Sequence, residues 1–343
     1  MNALRLIPVT VIIWAVPKNK KPLNSDWRPT ASLEILRSRA RLLQQTRSFF
    51  YARDVLEVET PMLTATGSTE VHLDQFSVSS EVAAAGYQLI TSPELAMKRL
   101  LAAGSGDIFQ LSKVFRAGEQ GSKHQPEFTL LEWYRLGFDL DALMKEVEQL
   151  LVELLADKLC QPPVSMTYAQ AFEEPTRLNP LTATIDELQQ YFQSQMQQQA
   201  PSLDDRQSYL DLIMSHIVEP TFAHDRLTFV THYPTEQASL ARVCANDPRV
   251  AERFEVFAGG LELANGFHEL TDVVEQRYRM QQENKRRVEM GKSPIEIDQY
   301  FLAALEAGLP DCSGVAVGFD RLVMLVTGQQ NIEDVISFSI DNC

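Results

Sequence analysis

Phe115-Arg116-Ala117-Gly118-Glu119-Gln120-Gly121-Ser122-Lys123-His124-Gln125-Pro126-Glu127-Phe128 reads as the end of one strand, a charged loop and the start of a second strand. Upstream, Ile108 to Phe115 is rich in apolar and β-favouring residues. Downstream, Phe128, Leu130, Glu132, Tyr134 and Leu136 alternate with Thr129, Leu131, Trp133 and Arg135, which is the period of a strand. The alternation puts Glu132 and Tyr134 on one face, beside Phe128. A carboxylate on an otherwise apolar face of a core strand is costly unless a cation or a partner meets it. By itself, a hairpin with a solvated tip explains the stretch equally well.

Two further segments point the same way. In Ser313-Gly314-Val315-Ala316-Val317-Gly318-Phe319-Asp320-Arg321-Leu322, one side of a strand carries Gly314, Ala316 and Gly318 and the other Val315, Val317 and Phe319. The bare side lets a flat ligand approach the backbone, with close strand packing as the alternative. Asp320-Arg321 opens a helix that turns Leu322, Val323, Leu325 and Val326 inward, and an arginine there can stack on a base or clamp a phosphate. In Arg253 to Glu269, Gly259-Gly260 between apolar runs signals a two-residue hairpin. That turn sets Phe257 opposite Glu262 and Glu255 diagonal to Glu262, about 7–8 Å away, so the two carboxylates can share a divalent ion. Asn265, Phe267 and Glu269 follow on one face of the same strand. Together the segments offer a nucleotide-plus-cation pocket with room for an amine.

In this order the segments resemble the three motifs of class II aminoacyl-tRNA synthetases. Motif 1 is similar to the helix around Leu33 to Tyr51 with Val55-Leu56-Glu57-Val58-Glu59-Thr60-Pro61 after it, motif 2 to the opening hairpin, and motif 3 to Gly314 to Val326. Thr91-Ser92-Pro93-Glu94, Leu131-Glu132-Trp133-Tyr134 and Glu262-Leu263-Ala264-Asn265-Gly266-Phe267-His268-Glu269 resemble the lysyl branch. The resemblance runs from about Trp27 to the C-terminus. Lysyl-tRNA synthetases of this branch carry an N-terminal OB-fold domain for the anticodon, and Met1 to about Ser25 is too short for one. A free-standing catalytic region resembles the elongation factor P–lysine lysyltransferases, as does Leu305 to Gly314. Ala316 stands where the synthetases usually have glycine, and one methyl group can reshape a pocket floor by about 1 kcal/mol.

The resemblance implies an α+β fold on an antiparallel sheet flanked by helices, and a homodimer formed through the Ser32 to Tyr51 helix. It implies ATP and Mg²⁺ as cofactors, (R)-β-lysine or lysine as the acyl substrate, and a lysine of elongation factor P as acceptor. Arg116 would be the catalytic group. Ser92, Pro93, Glu94, Glu132, Tyr134, Asn265, Phe267 and Glu269 would bind the amino acid. Arg116, Ala117, Gly118, Glu119, His124, Gln125, Phe128, Glu262, Leu263, Gly318 and Arg321 would bind ATP, adenine lying between Phe128 and Arg321, while Glu255 and Glu262 hold the metal. Two positions depart from the family pattern. Arg-Asn-Glu is here Arg116-Ala117-Gly118 with Glu119 one place later, and the asparagine after the loop histidine is Gln125. A minimal lysine–tRNA ligase and a non-catalytic amino-acid-binding paralogue remain as alternatives.

The remaining sequence fits an enzyme of the cytoplasm. With 31 basic and 46 acidic residues among 343, the formal charge of −15 disfavours broad capture of RNA. Cys160, Cys244, Cys312 and Cys343 lack metal or redox spacing, which suits reduced thiols. Residues 1–26 read as a disordered leader or a start placed too far upstream, and 27–343 as one catalytic domain. Leu4 to Val16 is too short to span a bilayer and lacks the flanks of a signal peptide. Leu33, Leu36, Ala40, Leu43 and Phe50 mark a helix face. Leu140 to Lys158, Ile185 to Gln199, Val274 to Met290 and Asp298 to Ala307 read as helices. Gln189 to Asp205 reads as a solvated insertion, the basic residues of Val274 to Met290 as solvated, and His216, His224 and His232 as structural or exposed.

Overall fold

The three segments become the middle of a single eight-stranded sheet. Ile108–Phe115 pairs antiparallel with Glu127–Leu136, which pairs in turn with Cys312–Gly318. The sheet continues antiparallel through Leu261–His268, Val250–Ala258 and Thr228–Pro234. Only the two edge strands, Leu56–Glu57 and Val164–Thr167, run parallel to their neighbours. This is the expected α+β arrangement, an antiparallel sheet with one covered and one open face. A small sheet of Leu63–Thr64, Tyr87–Leu89 and Ser77–Val78 stands beside it. The computed structural model describes residues 27–79, 86–196, 203 and 205–343. The N-terminal extension therefore lies outside the described residues, as do residues 197–202 and 204 of the predicted insertion.

Period two decides which face is which. Leu131, Trp133, Val315, Val317, Phe254 and Val256 point to one side and join a buried cluster with Phe49, Phe50, Leu143, Val147, Leu322 and Val323. Those partners come from helices Leu33–Tyr51, Leu140–Leu155 and Phe319–Thr327. Phe50 stacks on Phe109 at 4.6 Å and meets Trp133 edge-on at 5.1 Å. Burying each such ring contributes about 1.5–3 kcal/mol. The opposite face carries the polar alternates and lines a cavity.

One buried carboxylate ties the three motifs together. Asp320 accepts from the Thr129 backbone N–H at 2.6 Å and from Arg39 Nη1 at 2.5 Å, and Arg39 Nη2 also donates to Thr129 Oγ1 at 2.9 Å. An arginine on a helix, a strand amide and the first turn of the last helix are thus locked in one arrangement.

Three expectations need correcting. Helix Leu33–Tyr51 buries Leu42, Thr46, Phe49 and Phe50, while Leu33 is 66% exposed and Ala40 is also exposed. The predicted stripe mixed two faces, because apolar residues lie on both. Helix Val273–Glu289 does not leave all its basic residues in water. Arg287 is buried and donates to the Glu70, Leu73 and Ser293 carbonyls, and Arg279 donates to those of Ser239 and Ala241. The start of the predicted insertion is the amphipathic helix Ile185–Met196, whose Leu188 and Phe192 pack into a second cluster with Tyr209 and Leu210. Its glutamines masked that face in the sequence.

Candidate active site

The predicted site residues converge. All except Ala117 and Gly118 line one cavity of about 1970 Å³. Ala117 instead donates its N–H to the Asp74 carbonyl at 2.8 Å, and Gly118 adopts a φ of 82° that turns the chain back on itself.

At one end lies a dry carboxylate cluster. Glu132 and Tyr134 share a face of their strand and are buried. Tyr134 Oη donates to Glu132 Oε1 at 2.7 Å, and Ser92 Oγ donates to Glu132 Oε2 at 2.8 Å. Ser92 Oγ accepts the Glu94 N–H at 3.0 Å, at the start of helix Glu94–Ala102. Lys98, one turn along, reaches Glu94 Oε1 at 2.7 Å and Glu269 Oε2 at 2.5 Å. The other oxygen of Glu269 is buried without a hydrogen-bond partner. Gly314 makes this arrangement possible: a Cβ there would stand 2.2 Å from the Tyr134 ring and 2.7 Å from Glu269 Oε1. Burial pushes Glu132 up to about 7, reinforced by Glu94, and Glu269 up to about 8 against the pull of Lys98. Burial also opposes the charge of Lys98, but Glu269 and Glu94 outweigh it and hold the ammonium above its ordinary value. The cluster thus sets three carboxylates, Glu94, Glu132 and Glu269, around a single ammonium.

At the other end the groups are wetter. Arg116 closes the base of its hairpin with its N–H on the Pro126 carbonyl at 2.9 Å. Its guanidinium lies 5.0 Å from the Phe128 ring centroid, Nη1 is 3.9 Å from Glu119 Oε1, and its buried Nε has no partner. Arg321 donates to the Glu262 carbonyl at 2.7 Å and sits 2.8 Å from His124 Nε2. Burial, then the Arg321 charge, lowers the His124 pKa, so a neutral ring nitrogen accepts from that guanidinium. Gln125 lines the cavity, but its Oε1 accepts from the Ile340 N–H at 3.3 Å. The nearest atoms to a Cβ on Gly318 would be those of the Arg321 side chain, at an ordinary contact distance of 3.5 Å or more, which leaves this part of the floor uncrowded.

Between the two ends stands the hairpin with the paired acids. Gly259 and Gly260 both have positive φ, 61° and 72°, and Glu262 faces Phe257 as expected. Strict alternation would then put Asn265 on the opposite face from Glu262. A bulge between Glu262 and Ala264 shifts the register so that Asn265 pairs with Glu255, and all three reach the cavity. Bulges re-aim side chains in this way beside active sites. Glu255 is held by Arg253 at 2.5 Å and by the Tyr233 hydroxyl at 2.7 Å. Burial raises its pKa, Arg253 opposes the rise and Glu262 reinforces it. Among the described residues no group of three or more His, Cys, Asp and Glu could hold a metal, so Glu255 and Glu262 would need ligand oxygens to complete a coordination shell.

Two contributors escaped the sequence reading. Lys98 follows Glu94 by four residues, which in sequence is an ordinary helix-surface pair. Glu219 faces the acid pair from a separate segment, and burial with the Glu255 and Glu262 charges lifts it to about 7. No motif marked it.

A family model described as tRNA synthetases class II (D, K and N) matches residues 21–342. The chain belongs to this class II synthetase family and, within it, to the group formed by proteins named elongation factor P–(R)-β-lysine ligase. The relative of that name from Avibacterium paragallinarum is 48% identical over 321 residues, covering 92% of this chain and 98% of the relative. Those from Histophilus somni (strain 2336) and Pasteurella multocida (strain Pm70) are each 47% identical, covering 93% and 92% of this chain and 99% and 98% of their own lengths.

Proposed function

We propose that the chain activates (R)-β-lysine, or lysine, with ATP and transfers the acyl group to a lysine side chain of elongation factor P. The observation that carries this reading is the placing of a buried carboxylate cluster and a guanidinium pair in one cavity. Glu94, Glu132 and Glu269 receive the two ammonium groups, with the free Glu269 oxygen as one acceptor. Arg116 lies between the substrate carboxylate and the α-phosphate, and its unpartnered Nε–H is available as charge builds there. Adenine is taken between Phe128 and Arg321, above the open floor at Gly318. Glu255 and Glu262 would hold Mg²⁺ together with phosphate oxygens, and the ion would neutralise charge on the leaving pyrophosphate. The substrate carboxylate oxygen bonds to the α-phosphorus as the bond to pyrophosphate breaks. The acceptor amine then attacks the carbonyl carbon, releasing AMP and a proton. No side-chain nucleophile is required, because the mixed anhydride is already the activated acyl donor.

A homodimer suits the apolar side chains of Leu33, Tyr51 and Leu56, left exposed on and just after helix Leu33–Tyr51. A cytoplasmic setting suits the free state of all four cysteines, and no described helix is long and apolar enough to cross a membrane. The test incubates the chain with ATP, Mg²⁺ and β-lysine or lysine, together with elongation factor P or total tRNA. A one-lysyl mass increase on elongation factor P is expected. Charged tRNA with unmodified factor would sink the reading.

A further inference from the structure

We propose that Lys98 is a specificity-determining positioning residue, a resident ammonium that sets the charge of the carboxylate cluster to match a substrate with two ammonium groups. The inference deepens the diamino-acid reading above and rests on it. Lys98 is 1% exposed and stands behind Glu94 and Glu269 rather than at the cavity surface. Its Nζ holds one oxygen of each, 2.7 Å from Glu94 Oε1 and 2.5 Å from Glu269 Oε2. The groups facing it are few. Glu94 lies on its own helix, Glu132 comes from strand Glu127–Leu136, and Glu269 follows strand Leu261–His268. Cys312 begins strand Cys312–Gly318, its thiol held neutral by burial and the Glu269 charge, and the Phe301 ring lies 6.0 Å away.

The charges then count themselves. Three carboxylates and one ammonium leave two negative charges when all are ionised, and a diamino acid brings two positive ones. A substrate with one ammonium leaves a carboxylate buried and unbalanced, which is penalised in a dry site. Lys98 also fixes which oxygens remain for ligands, because it occupies Glu269 Oε2 and leaves Oε1 free. A solvated helix-surface pair would have no third partner from a distant strand. Here that partner is as buried as Lys98 itself.

The test compares wild type with Lys98→Met, Lys98→Arg and the double variant K98M/E94Q in ATP–pyrophosphate exchange. Both lysine and β-lysine serve as substrate, across pH, with thermal melting recorded alongside. Lys98→Met should raise the amino-acid KM by about tenfold or more and leave the ATP KM within about twofold. The acidic limb of kcat/KM should move up by about one pH unit, because carboxyls without their cation hold protons more tightly. K98M/E94Q restores the charge count, so its limb should return toward wild type, and Lys98→Arg should keep the wild-type limb. A purely structural lysine would lower the melting temperature and leave every pH limb in place, which overturns the inference. So does a limb in Lys98→Arg displaced as far as in Lys98→Met, a comparison that survives if the double variant fails to fold. Wild-type exchange with neither diamino acid overturns the underlying reading. Wild-type exchange with an unmoved Lys98→Met overturns the inference alone.

Discussion

The two ends of the cleft use the same chemistry under opposite conditions. At the amine end Glu132 is 2% exposed, and Glu269 and Lys98 are 1% exposed. At the nucleotide end the side chains of Arg116, Glu119, Arg321 and Glu262 are 28%, 29%, 20% and 39% exposed. A dry, pre-paired cluster strongly rejects a ligand that leaves it unbalanced, so it suits selection among amines. Wetter ion pairs, worth about 0–1 kcal/mol, give up their partners easily, so on the proposed reading Arg116 and Arg321 would release Glu119 and Glu262 to phosphates. On the proposed reading, selectivity would belong to the buried end and turnover to the open one.

Substitutions at the two ends should therefore fail differently. Arg116→Ala removes the donor aimed at developing charge, and kcat for adenylate formation should fall about 10²–10³-fold with the amino-acid KM little changed. Glu269→Gln keeps the shape and removes the charge. It should raise the amino-acid KM about 10–100-fold while the ATP KM holds. Pyrophosphate exchange reads both, and an identical pattern for the two variants would erase the division.

Acidity sharpens the same contrast. The raised carboxyls Glu132 and Glu269, at about 7 and about 8, must ionise to receive ammonium groups, while the amines of the substrate stay protonated. Amino-acid kcat/KM should fall about tenfold per pH unit between the two values and about a hundredfold per unit below both, with the ATP KM flatter. Linkage runs the other way for stability. Native pKa values above the unfolded ones mean that the folded state binds more protons, so stability of the ligand-free protein declines as pH rises through that window. Melting curves between pH 5 and 9 test the sign, and added β-lysine should raise the melting temperature most at the alkaline end. A smaller, purely steric effect is expected at the floor. Gly314→Ala puts a methyl into the Tyr134 ring and should cost about 1–3 kcal/mol of stability.

Most of this cleft was legible because period two and a two-glycine turn are local signals. Glu132 with Tyr134, and Glu255 with Glu262, could be placed on common faces from spacing alone. What stayed hidden depends on register or on distant partners. The bulge at Leu263 has no residue that announces it, yet without it Glu262 and Asn265 would face opposite ways. Arg39 reads as one of several helix arginines until Asp320, 281 residues away, is placed beside it. Arg287 reads as a solvated charge and Lys98 is not singled out at all for the same reason, since burial of a basic side chain is decided by the element that covers it. The apolar face of helix Leu33–Tyr51 was misassigned because apolar residues lie on both of its faces, and Leu33 stays exposed.

The finest discrimination should come from the floor of the buried end. Ala316 pairs with Glu132 on one neighbour and with Asn265 on the other, so its methyl stands between a carboxylate and an amide. Ala316→Gly removes that methyl from the cavity wall without touching a charge. The preference between lysine and β-lysine, measured as the ratio of their kcat/KM values in pyrophosphate exchange, should shift by about 1 kcal/mol toward the isomer whose amine needs the extra depth. Glycine in a strand costs about 0.5–1 kcal/mol of stability, so a small fall in melting temperature should accompany the shift, with the ATP KM unmoved. A ratio equal to wild type would mean that the charges alone read the substrate and that the shape of the floor between Glu132 and Asn265 does not.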